Sequence, residues 1–236
     1  MASPVARPLI VQWKPLAILI GFPLFSTLLS LLLLNQSIVS GSGISFFAFF
    51  WTVITVWYAV QIWLLRQTLK EAGQSWESIG FTSSRKRISQ LIAGYLSVAL
   101  LLFAFIELAL ANAPVDAEKM KALSDLSNLT PTTTAERAIY IVMGLMAGLA
   151  EELVYRGYAI TSLMNYRLNK WVAAVLAAIP FVFQHGLKSI DQFGWFFGWG
   201  IVFGALFLFS KKLYANIIIH WLVILSALAG ILQALK

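Results

Sequence analysis

Apolar runs of about twenty residues recur along almost the whole chain, and that repetition leaves it one solvent. A helix needs about 20 consecutive apolar residues to cross the hydrocarbon core of a bilayer. Runs of this kind fall at approximately 15–38, 43–65, 89–112, 137–163, 170–187, 192–210 and 213–235. Only 11% of the 236 residues are charged and 60% are hydrophobic, whereas a soluble domain carries about 25% charged residues. Such a chain cannot cover itself with polar surface. The expected fold is therefore all-α, a polytopic membrane helical bundle of about seven transmembrane helices, with eight also compatible with the length. The fifth and sixth runs are short and need either tilt or burial behind other helices.

Loop charges set an expected orientation. The net charge is +7, but the basic residues fall between the apolar runs, so topology explains them better than nucleic acid does. Alternate loops counted from the N-terminus hold eleven Lys and Arg, and the opposite set holds five. That bias predicts a multi-pass protein of the cytoplasmic membrane, with its N-terminus in the cytoplasm and its C-terminus outside. Residues 67–88 read as a polar cytoplasmic loop in which Arg85, Lys86 and Arg87 meet anionic headgroups. Residues 113–136 read as a polar outer loop, where Asn128 opens an N-x-T pattern of no weight. The chain divides into an N-terminal membrane region, 1–136, with three spans, and a core, 137–235, with four. The first run is too long for a signal-peptide core. The sequence contains no Cys, which excludes disulfides, thiolate ligands and a cysteine nucleophile.

Against this apolar background a few ionisable residues stand out. Each costs roughly 2.5–3.5 kcal/mol at membrane depth on insertion scales. The fourth span carries Glu151, Glu152 and Arg156; the fifth and seventh carry the chain's two histidines, His185 and His220. Successive helical residues are about 100° apart, so the two acids address different neighbours. Glu152 and Arg156, four apart, form a charge-neutralising clamp on one face. Glu151 has no such partner in sequence, which marks it as the candidate general base. Tyr155, one turn on, is placed to donate a hydrogen bond to it. Asn216 lies one turn before His220 on the same face. Glu107 sits near the outer end of the third span and reads as structural. Gly144 with Gly148, Gly194 with Gly198, and Gly200 with Gly204 read as close helix contacts. Trp195, Phe196, Phe197 and Trp199 read as packing and lipid contact.

Two spacings are recognisable. Glu151 to Arg156 reads E-E-x-x-x-R, and Phe181 to His185 reads F-x-x-x-H; His220 then follows on the last helix. In this order the chain resembles the CPBP family of intramembrane proteases, which includes type II CAAX prenyl endopeptidases and bacteriocin-processing or immunity-related proteins. The resemblance covers roughly residues 137–235. It implies that Glu151 and His185 activate the attacking water and that His220 completes the site or stabilises the oxyanion. The family's third motif usually reads H-x-x-x-N. Ile224 stands here in place of that Asn and cannot donate a hydrogen bond; Asn216, one turn to the other side of His220, is the candidate substitute.

The expected activity is that of a membrane endopeptidase. It would hydrolyse a peptide bond of a hydrophobic or lipid-modified membrane protein or peptide by Glu/His-activated water, with membrane lipids as its other partners and no nucleic acid. The catalytic candidates are Glu151, His185, His220, Glu152, Arg156 and Asn216. The cofactor stays open: Glu151, His185 and His220 offer three ligands for a divalent metal such as zinc, and a Glu–His pair can equally activate water alone. The alternative is a non-catalytic member acting as a membrane immunity or scaffold protein that binds a peptide.

Overall fold

The computed structural model of the chain describes residues 13–33, 35–81, 89, 93 and 131–234. The expected third span with Glu107, the basic triplet at 85–87, the Asn128 pattern and most of the polar loop 113–136 lie outside the described residues. Among the described residues the fold is all-helical, with no strand. Helix α1 covers Trp13–Leu33, α2 Phe46–Glu71, α3 Thr134–Asn165, α4 Lys170–Phe183, α5 Phe193–Ser210 and α6 Leu213–Ala234.

Among the described residues, four helices are long and apolar enough to cross a membrane: Lys14–Leu33, Phe46–Glu71, Thr134–Asn165 and Phe193–Ser210. These make a multi-pass membrane protein. Helix α4, at 14 residues, is about 21 Å long, well short of a hydrocarbon core of about 30 Å. The second helix outruns its expected end at residue 65 and carries Arg66 and Lys70 on its last turns, so the polar loop begins later than residue 67.

Local signals explain the helix starts. The Ser45 side chain accepts from the Ala48 amide at the start of α2, and Asn169 does the same for Trp171 at the start of α4. Thr133 and Glu136 form a reciprocal capping box at the start of α3, which satisfies two amides that the first turn leaves without partners. This sets the start of α3 three residues before the expected boundary at 137.

Contacts sort the helix ends into two groups. At one end Lys14 pairs with Glu71, and the Leu213 amide donates to Gly80 O at 3.0 Å. At the other end Ser45 Oγ donates to Glu136 Oε1 at 2.8 Å, and Gly186 packs on Ser30. Helices α2 and α3 run parallel, since Ser45 meets Glu136 at one end and Tyr58 meets Glu151 further along.

The long helix α3 is not uniform. Between Glu152 and Ile160 it widens into a π-helix, and all nine of those residues are buried. Such segments are rare and concentrate at functional sites. Other elements close in around this stretch. A Cβ on Gly157 would lie 2.6 Å from Leu213 Cδ1 and 2.9 Å from Ile79 O, and one on Gly200 would lie 2.7 Å from the Ala178 Cβ. Gly204 meets Ala174, Gly144 meets Ile224 and Gly148 meets Trp221 in the same way. Gly194 and Gly198 differ from the sequence reading: among the described residues, nothing stands within 4 Å of a Cβ built at either position.

This contrast yields a test. Gly157→Ala should destabilise the protein by about 1–3 kcal/mol, because a backbone oxygen cannot give way to the new methyl. Gly198→Ala should be neutral or stabilising by up to about 1 kcal/mol, since open space surrounds it and alanine favours helix. Thermal melts in detergent compare them, and equal melting temperatures would disprove the close approach.

Candidate active site

The structure brings Glu151, Glu152, Arg156, His185, Asn216 and His220 together, from α3, α6 and the turn that follows α4. Burial defines their setting. Glu151 is 1% exposed and Glu152 is fully buried. Adjacent on one helix, the two carboxylates are surrounded by different groups, as their angular separation requires.

Glu152 is the anchored acid. Its Oε1 accepts from His220 Nδ1 at 2.8 Å and lies 3.2 Å from Arg156 Nη1; its Oε2 accepts from Asn216 Nδ2 at 3.0 Å. The Arg156 guanidinium carbon sits 4.0 Å from the centroid of Phe181 and 5.3 Å from that of Phe203. A desolvated cation between aromatic faces gains about 2 kcal/mol. Neither terminal nitrogen of Arg156 makes a hydrogen bond, so the Glu152 pair acts as a charge contact rather than a directional one.

Asn216 occupies a different role from the one its spacing suggests. Its Nδ2 donates both to Glu152 Oε2 and to Phe203 O, the latter at 2.8 Å. With both amide protons committed, it has none left for an oxyanion. It ties Glu152 of α3 to the backbone of α5 and is a positioning residue. Ile224, where the family motif has Asn, packs against Gly144 and belongs to a helix contact.

The two imidazoles are held by the same device from different sources. Helix α4 ends at Phe183, and the His185 amide donates to Val182 O rather than one full turn back to Phe181 O. The free Phe181 carbonyl lies 3.0 Å from His185 Nδ1. A carbonyl only accepts, so Nδ1 carries the proton there. Gly186, at φ +81°, turns the chain away, and α1 braces the turn: Thr27 Oγ1 donates to Phe183 O at 3.1 Å. His185 thus stands just past the helix and not within a span to residue 187. His220 donates Nδ1–H to Glu152. Phe196 stacks on His185 at 4.1 Å and Phe203 on His220 at 4.7 Å, so Phe196 supports the site rather than meeting lipid. Trp195, at 61% exposure, does face outward.

Both Nε2 atoms then turn toward Glu151. His185 Nε2 lies 3.7 Å from Oε1, and His220 Nε2 lies 3.6 Å from Oε2. In neutral imidazoles anchored through Nδ1–H, each Nε2 presents a lone pair. Acceptors converge across gaps wider than a hydrogen bond, an arrangement that a donor between them completes. The His185 side chain is 24% exposed and is the open member of the set. Among the described residues, no group of three His, Asp or Glu side chains stands close enough to hold a metal ion.

Several site residues escape the sequence motifs. Tyr58 of α2 donates to Glu151 Oε1 at 2.6 Å, the bond that the spacing assigned to Tyr155. The Tyr155 hydroxyl instead donates to Gln184 Oε1 at 2.7 Å. A signal for Tyr58 exists in the sequence: with Gln61 it puts two hydrogen-bonding side chains one turn apart within an apolar run. Gln61 is fully buried with neither amide atom bonded.

Residues 133–225 match the model of a family described as Type II CAAX prenyl endopeptidase Rce1-like. The match covers less than half of the chain; it includes Glu151, Glu152, Arg156, His185, Asn216 and His220, and leaves Tyr58 outside. The family is one of proteases. No curated protein and no solved structure matches the chain.

The Glu152–Arg156 contact is open to a double-mutant cycle. Glu152→Ala and Arg156→Ala should each cost about 3–5 kcal/mol, because each strands the other's charge in an apolar layer. The double variant should lose clearly less than the sum of the two. Additive losses in detergent melts would show that the residues are not coupled.

Proposed function

We propose that the chain is an intramembrane endopeptidase that hydrolyses a peptide bond in a hydrophobic or lipid-modified membrane protein segment. The observation that carries this reading is the ring of acceptors around Glu151: two oxygens of a buried carboxylate faced by two anchored imidazole nitrogens at 3.6 and 3.7 Å. Water has two protons to donate and a lone pair to attack with. It would donate one hydrogen bond to Glu151 and the other to an imidazole Nε2. Peptide hydrolysis requires such a nucleophile together with a base that holds its proton.

The step balances within the chain's own groups. The water oxygen adds to the scissile carbonyl carbon as Glu151 takes a proton. The C–N bond breaks as Glu151 returns that proton to the leaving amine, leaving a carboxylic acid product and a free amine. His185 and His220 orient the water, and Glu152, Arg156 and Asn216 keep His220 in place. Water activation by Glu151 and the histidines, without a metal, is the chemistry that best suits the spacing of these side chains.

The substrate class follows from the surroundings. The site lies among apolar helices and opens on the His185 side, so the cleaved segment must itself tolerate an apolar environment. A prenylated C-terminal peptide meets that demand, as does an unmodified hydrophobic one. The loop charges favour the cytoplasmic membrane, with the N-terminus inside and the C-terminus outside.

The decisive experiment uses purified protein in liposomes with a panel of prenylated and unmodified membrane peptides. Glu151→Gln and His185→Ala should each lower cleavage by about 10²–10⁴-fold and melt close to the parent protein. Near-normal turnover by Glu151→Gln would sink the mechanism. Elemental analysis addresses activation of water by the side chains alone: zinc in the purified protein should be far below stoichiometric, and His220→Ala should leave it unchanged. Stoichiometric zinc that disappears in His220→Ala would establish a metal mechanism instead.

A further inference from the structure

Glu151 has two oxygens, and the structure treats them differently. Oε1 accepts the Tyr58 hydroxyl at 2.6 Å, a buried contact between α2 and α3. Oε2 faces His220 Nε2 at 3.6 Å. A phenol has one proton to give, and a hydrogen bond to a charged acceptor is about twice as strong as one between neutral groups. The donor itself is well held. The Tyr58 ring packs with Met143, Ala147 and Ala150 of α3, and the neighbouring Trp57 donates through Nε1 to Ser26 Oγ of α1 at 2.7 Å. The hydroxyl also interacts with the Gln184 side chain, whose Oε1 is bound by Tyr155. Helix α2 lies wholly outside the residues that match the family model.

We propose that Tyr58 is a positioning residue of the hydrolytic site: it holds Oε1 of Glu151, fixes the plane of the carboxylate, and so makes Oε2 the oxygen that takes the proton from water. This rests on the hydrolytic reading above. It also assigns the N-terminal region a direct part in the chemistry. A rotating carboxylate would present either oxygen at varying angles, whereas a pinned one presents the same lone pairs each time, which is the orientation that catalysis rewards.

Tyr58→Phe removes one oxygen and keeps the ring. In the liposome assay kcat should fall about 10- to 100-fold, with KM within about twofold, because the substrate does not bind through Tyr58. Infrared spectra of protein with ¹³C-labelled glutamate supply a readout that general loosening would not move. The Glu151 carboxylate band, assigned by its loss in Glu151→Gln, should shift in Tyr58→Phe. Should Tyr58→Phe fold poorly, 3-fluorotyrosine at position 58 keeps the ring and hydroxyl, strengthens the donor, and should shift the same band. A folded Tyr58→Phe with parental kcat, beside an inactive Glu151→Gln, overturns the proposal and leaves the hydrolytic reading standing. A Glu151 band that fluorotyrosine leaves in place overturns it equally. Turnover retained by Glu151→Gln would overturn the hydrolytic reading instead, while the infrared shift would still decide whether Tyr58 holds Glu151.

Discussion

The carboxylate of Glu152 is the contact on which the rest of the site depends. A fully buried negative charge in an apolar bundle is unfavourable unless its surroundings compensate it. Here Arg156 compensates it from the same helix, while His220 and Asn216 bond to it from α6. Asn216 extends the connection to Phe203 O in α5. Three helices are therefore tied through one side chain. The same bond that neutralises Glu152 also orients the His220 ring, because committing Nδ1 turns Nε2 toward Glu151. Packing and site chemistry are thus linked in one network: the acid that looks redundant beside Glu151 sets the geometry that Glu151 uses.

His185 reaches a comparable geometry by another route. No carboxylate anchors it; the end of a short helix does. A chain that stops hydrogen bonding as a helix leaves carbonyls without backbone donors, and Phe181 O becomes the partner of His185 Nδ1. The turn is held from outside by Thr27 of α1 and by the close approach of Gly186 to Ser30. The first two helices carry no recognisable motif, yet one braces the turn beneath His185 and the other brings Tyr58 to Glu151. Their contribution is positional, and a motif search confined to the second half of the chain does not see it.

Much of the architecture was legible in the apolar pattern, since bilayer thickness imposes a length that sequence must meet. Six of the seven expected spans correspond to described helices, and four of these are long and apolar enough to cross a membrane over their described residues. The ionisable residues were equally visible, because charge within an apolar run has few innocent explanations. Errors arose where ideal helical periodicity was extended too far. The spacing pairs Tyr155 with Glu151, but the Tyr155 hydroxyl donates to Gln184 and Tyr58 of α2 supplies the bond to Glu151. Asn216 was assigned to the substrate by spacing, and its two protons were already taken. Gly194 and Gly198 had the spacing of a helix contact, but spacing alone does not supply a neighbour.

What the sequence by itself determined is the solvent, the helical class and the set of polar residues that such a solvent makes expensive. Those follow from composition and from periods of one or two turns, which are local properties. Only the tertiary structure decided which groups from other helices bond each acid, which nitrogen of each histidine faces the other groups, and that a tyrosine from α2 completes the set. The physical reason is directional. Hydrogen bonds join particular atoms across helices far apart in sequence, and an early helix end redirects them without altering the hydrophobic pattern that a linear reading detects.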